Sequence, residues 1–94
     1  MKLSRKDCAR ISTFAKIFSN PLRVDLLCIL KDGELNVSQI CKETNSKESN
    51  ISQQLRYLWI SGYISKKRKG REIYYSLKNQ KTLNLLKKLK ELSK

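Results

Sequence analysis

One proline and three glycines, at positions 21, 33, 62 and 70, punctuate the 94-residue chain. They leave room only for short elements, because proline is confined to a helix's first turn and glycine marks turns and helix ends. Between these breaks the apolar spacing reads as short helices, then a hairpin, then a last helix. No internal repeat, low-complexity tract or linker interrupts the order. The expectation is a single domain over residues 1–94, mainly α with a β-hairpin wing, about five helices and two strands.

Ser4, with Asp7 three residues on, caps a first helix along which Ile11, Phe14, Ala15 and Phe18 fall at helical spacing. Asn20-Pro21 closes that segment and opens the next. Leu22, Leu26, Leu27, Ile29 and Leu30 make the second helix apolar on more than one side, so it is expected to be the most buried. Asp32-Gly33 ends it. Asn36 and Gln39 form a capping-box pattern that opens a third helix over 37–44. Asn45 suits the left-handed turn that follows, and Ser46 is expected to cap a fourth helix running from Lys47 to about Ile60. Its apolar seam is Ile51, Leu55 and Leu58, with Trp59 at its edge, and Gly62 stops it. Two runs rich in β-branched and aromatic residues, 63–68 and 72–77, flank Lys69-Gly70-Arg71 as a hairpin. Asn79 starts a last helix with five leucines in ten residues, too apolar to leave exposed on a monomer.

Charge points to the partner. Net charge is +13, and it is uneven: residues 1–62 carry +4, residues 63–94 carry +9. The two helices that meet at Asn45-Ser46 read as a helix-turn-helix over 36–61, the second helix fitting the major groove while the first braces it. Facing away from its seam are Lys47, Ser49, Asn50, Ser52, Gln53 and Arg56. Asn and Gln pair with adenine, Arg with guanine, and Ser with either base or phosphate. The hairpin over 63–77 then places Lys66, Lys67, Arg68, Lys69 and Arg71 beside that helix, as a wing that clasps phosphates or enters the minor groove. Double-stranded DNA is the expected partner.

Other classes fall away on composition. The chain has no histidine, which removes His-based catalysis and every His-containing zinc site. No Gly-rich phosphate loop or paired-carboxylate motif is present, so an enzyme is not expected. No cofactor or metal is expected. No apolar run is long enough to span a bilayer, and the start lacks a signal-peptide core, so the expected location is the cytoplasm. Cys8, Cys28 and Cys41, without a Cys-x-x-Cys pair, are expected to be reduced thiols. Two rivals remain: a basic membrane-surface protein acting through Lys81, Lys87, Lys88, Lys90 and Lys94, and a non-specific polyanion binder.

Residues 14–23 (FAKIFSNPLR) resemble the opening of the ArsR/SmtB winged-helix repressors. Residues 33–40, 50–58, 61–64 and 70–77 match later landmarks of that family, in order, so the resemblance covers roughly 12–92. The pattern is closest to the HlyU-like branch. Asn45-Ser46 stands where the family often has Gly-Leu, and Gln53-Gln54 where His-His is frequent. The resemblance implies a homodimer built by the first and last helices (1–20 and 79–94), which represses from an inverted-repeat operator until an inducer releases it. Ile11, Phe14, Phe18, Leu83, Leu86 and Leu89 suit such an interface. Asn36-Val37-Ser38 replaces the Cys-Val-Cys of the arsenic- and lead-type members, and the last helix lacks the Asp and His ligands of the other metal site. Cys28 resembles the second-helix cysteine of the persulfide-sensing branch, making it a thiol-sensor alternative, although the last helix carries no partner cysteine.

Overall fold

A computed structural model describes residues 1–93; the lysine at position 94, grouped above with the basic face of the last helix, lies outside the described residues. Helix α1 spans Arg5–Ala15, and the expected Ser4 cap is formed and is reciprocal: Ser4 accepts from the Asp7 amide while the Asp7 carboxylate accepts from Ser4 N–H. The segment runs on as a 3-10 turn over Lys16–Ser19, which carries Phe18. Asn20 then takes the extended backbone that precedes a proline and caps α2 (Pro21–Ile29), accepting from the Leu22 and Arg23 amides. A second 3-10 turn, Leu30–Asp32, leads to Gly33.

Helix α3 spans Val37–Thr44 behind the Asn36–Gln39 capping box, and Asn45 takes the left-handed conformation at φ 53°. One expectation fails here. Ser46 does not cap α4; its hydroxyl donates back to the Thr44 carbonyl, and Lys47 occupies the cap position without a side-chain bond. Helix α4 therefore spans Glu48–Ile60, and Lys47 stands just ahead of it. The cause is the tightness of the turn, which leaves the Ser46 hydroxyl nearer the end of α3 than the first amides of α4.

A third strand joins the expected hairpin. Strand β1 (Leu35–Asn36) pairs antiparallel with β3 (Glu72–Leu77), which also pairs with β2 (Ile64–Lys69), so β3 is central. Two residues are too few to show the alternation by which a strand is read from sequence. Helix α5 (Gln80–Leu92) starts at Asn79, whose side chain accepts from the Lys81 and Thr82 amides.

The core is assembled from Ile17, Leu26, Leu27, Leu30, Ile40, Ile51, Leu55, Leu58 and Ile64. Leu26 and Leu27 make α2 the central helix, as its two-sided apolar pattern implies. Ile40 from α3 and the Ile51–Leu55–Leu58 seam of α4 lie in the same cluster, so α3 and α4 are fixed to α2 by shared burial. Trp59 is exposed rather than part of that seam. Helix α1 buries nothing, and α5 buries only Thr82. Those two helices rest on the outside of the fold with apolar surface still facing water.

Candidate nucleic-acid interface

Burying Ile51, Leu55 and Leu58 determines which residues α4 presents outward. Ser49, Ser52, Gln53 and Arg56 follow the i, i+3, i+4, i+7 rule and form one stripe, flanked by Asn50; all are exposed. Lys47 is exposed at the turn. Every residue expected on this helix face is therefore in the open, on a helix whose opposite face is buried.

The neighbour of that stripe escaped the sequence reading. Gln54 is half-buried, and its Oε1 accepts a hydrogen bond from Arg23 Nε at 2.8 Å. The Arg23 guanidinium lies 3.7 Å above the centroid of the Tyr57 ring, one turn further along α4. Its Nη1 also donates to the Lys16 carbonyl at 3.3 Å. A faint signal existed: Gln54 is three residues from Ile51 and four from Leu58, which puts it on the border of the buried seam.

The wing begins after Gly62, whose positive φ turns the chain out of α4. Register places Lys66 opposite Tyr75 and Arg68 opposite Ile73 on one face, with Lys67 opposite Tyr74 and Lys69 opposite Glu72 on the other. The five expected cations are not equivalent. Lys66 Nζ sits 3.7 Å over the Trp59 ring, a cation–π contact that ties the wing to the end of α4. Lys69 pairs with the Glu34 carboxylate and lies 5.3 Å from the Tyr74 ring centroid. Arg68 Nε donates to the Gly70 carbonyl at 3.1 Å, which steadies the turn. Among the described residues Lys67 and Arg71 pair with nothing, so the wing's two most available cations flank its tip.

The apolar residues assigned to dimerisation divide into three settings. Phe18, Leu83, Leu86 and Leu89 line one open groove of about 750 Å³, together with Val24 and Cys28. Phe14 turns inward instead, packing edge-on to Phe18 at 5.2 Å and against Tyr63 at 5.6 Å. Ile11 stays half exposed on α1. Burial raises the Tyr63 phenol pKa, with the nearby Tyr57 adding to the rise, and burial raises that of Tyr75.

All three cysteines are free thiols: Cys8 exposed, Cys28 and Cys41 half-buried. Each is on a different helix, and the thiol-responsive reading of Cys28 is not favoured. Among the described residues no group of three or more His, Cys, Asp or Glu side chains gathers as a metal site. No described helix is long and apolar enough to cross a membrane.

A half-buried helix-turn-helix with its polar stripe outward, followed by a basic hairpin wing that pairs with β1, defines a winged helix-turn-helix DNA-binding protein. Comparison with known proteins agrees. Residues 20–66 match the model of the bacterial regulatory protein, arsR family. The chain is 30% identical over 81 residues to the biofilm growth-associated repressor of Xylella fastidiosa, covering 86% of this chain and 71% of that one. It is 25% identical over 87 residues to the transcriptional activator HlyU of Vibrio cholerae, covering 93% and 81%. The solved structure of reduced HlyU from Vibrio cholerae N16961 superimposes with a TM-score of 0.82 at 25% identity, over 93% of this chain and 92% of that one. The chain belongs to the ArsR family. It is a DNA-binding transcriptional regulator and not an enzyme.

Proposed function

We propose that the chain is a cytoplasmic repressor that binds an inverted-repeat operator as a homodimer. The observation that carries this is the exposed stripe of α4 beside the wing. Ser49, Asn50, Ser52, Gln53 and Arg56 read base edges in the major groove, and Lys47 contacts the backbone at the entry of the helix. Lys67 and Arg71 supply the wing's principal phosphate contacts, while Lys66, Arg68 and Lys69 shape the wing and add positive potential.

The surface left uncovered supports dimerisation. Leu89 lines the groove at Phe18, Leu83 and Leu86 and is itself exposed, and Leu92 on α5 and Ile11 on α1 are further exposed apolar side chains on the same two outer helices. A twofold contact covers that surface in both copies at once. It also sets two α4 helices about one DNA turn apart, which is why an inverted repeat is the matching target. The relative in Xylella fastidiosa, named as a repressor, supports repression as the outcome.

The test is a titration onto DNA from the chain's own upstream region, with scrambled competitor at about 150 mM salt, where long-range attraction is already screened. Saturation at one dimer per repeat, resistant to competitor, is expected. Binding that the scrambled duplex erases at equal concentration would leave a generic polyanion binder.

A further inference from the structure

The apolar seam that holds α4 is strong but not directional, since burial of Ile51, Leu55 and Leu58 tolerates small rotations of the helix about its axis. Base readout does not tolerate them. A guanidinium is the opposite kind of contact: a planar fork with fixed donor directions. Arg23 places such a fork where it touches three things at once. Nη1 reaches the Lys16 carbonyl in the turn after α1, Nε reaches Gln54 on α4, and the plane stacks on Tyr57. Gln54 and Tyr57 are the immediate chain neighbours of Gln53 and Arg56, the residues assigned to base reading. At its other end, the Lys16 turn carries Phe18, which lines the groove of the dimer face.

We propose that Arg23 is a positioning residue that fixes the rotation of α4, so that sequence discrimination depends on a half-buried side chain outside the exposed stripe of α4. The same three contacts join the dimer-forming segment to the reading helix, and a shift at the turn carrying Lys16 and Phe18 reaches Gln53 and Arg56 through this group. The inference rests on α4 being the base-reading element. It adds which residue holds the reading geometry and from where that geometry is set.

The experiment measures affinity for the inverted repeat and for a scrambled duplex, across a salt series, in wild type, Arg23→Lys, Gln54→Leu and the double variant. Lysine keeps the charge but not the fork. Losing one charged hydrogen bond of this kind corresponds to about tenfold and the dimer loses it in both protomers, so Arg23→Lys is expected to lower the ratio of the two affinities at least tenfold. Affinity for the scrambled duplex and the salt slope stay at wild-type values. Gln54→Leu, which removes one of the three Arg23 contacts, lowers the ratio in the same direction, and the double variant adds little to Arg23→Lys, because the bond that Gln54 accepts is already gone. If Arg23→Lys does not fold, Gln54→Leu alone is expected to show the reduced ratio with an unchanged slope. A discriminating wild type with an unchanged ratio in the folded variants overturns the proposal alone. So does an equal fall on both duplexes, which marks a purely structural role. A wild type that does not discriminate overturns the base-reading assignment of α4, and the proposal with it.

Discussion

Lys67→Ala isolates the wing. Lys67 stands on the β2 face opposite Tyr74 and has no partner among the described residues, whereas Lys66 on the other face is held over Trp59. Each phosphate contact made through a lysine releases a condensed counterion and contributes about 0.9 to the slope of log affinity against log salt. A dimer loses two such contacts, so the slope flattens by about 1.8. Taken against a 1 M reference, two contacts at about 150 mM salt are worth about thirtyfold in affinity. The loss applies to repeat and scrambled duplex alike, because phosphates carry no sequence. Fluorescence anisotropy over a salt series measures both quantities. Lys66→Ala is the internal control, expected to change the slope by less than half as much. A Lys67→Ala slope equal to wild type, or a Lys66→Ala effect as large as that of Lys67→Ala, would refute the assignment of Lys67 rather than Lys66 to the phosphates.

Three further outcomes are expected. Arg56→Ala, removing an exposed guanidinium from the outward stripe of α4, lowers discrimination between repeat and scrambled DNA by about 1–3 kcal/mol at an unchanged salt slope; competition titration with no change moves base reading elsewhere. Leu86→Glu puts a charge into the groove shared with Phe18 and Leu83 and yields monomers in sedimentation equilibrium; intact dimers place the seam on another surface. The fold holds the phenol protons of Tyr63 and Tyr75 more firmly than the unfolded chain does, whose value is the ordinary 10.0. Stability from these groups is thus complete below that value and declines as pH rises past it towards the raised values. Denaturant melts at alkaline pH are expected to show a smaller decline in Tyr63→Phe, and an equal decline in both proteins removes the effect.

What the sequence made legible is local. Ser4 with Asp7, Asn36 with Gln39, the left-handed Asn45 and the cap at Asn79 each act within three residues, and each sits where its pattern indicates. The outward stripe of α4 was legible for the same reason, since helical periodicity alone separates it from the buried seam. What was hidden is non-local. Strand β1 exists only because residues 35 and 36 meet 75 and 74 across the fold. Arg23 reaches Gln54 thirty-one positions away, and Lys69 reaches Glu34 at a separation of 35. A run of basic residues cannot announce which of its members will be turned back onto the protein. The Ser46–Lys47 boundary was misplaced because Ser46 fits the cap pattern and Lys47 does not, yet the turn directs the Ser46 hydroxyl back to the Thr44 carbonyl.

The central claim, that a twofold pair of α4 helices reads sequence, is tested most directly by selection from a random-sequence duplex library at about 150 mM salt, with wild type and Arg56→Ala run in parallel. The account predicts an inverted repeat whose half-site centres lie about 10 base pairs apart in wild type, with one position in each half-site relaxed in the variant. A wild-type library without a consensus, or a consensus that Arg56→Ala leaves intact at every position, would contradict it.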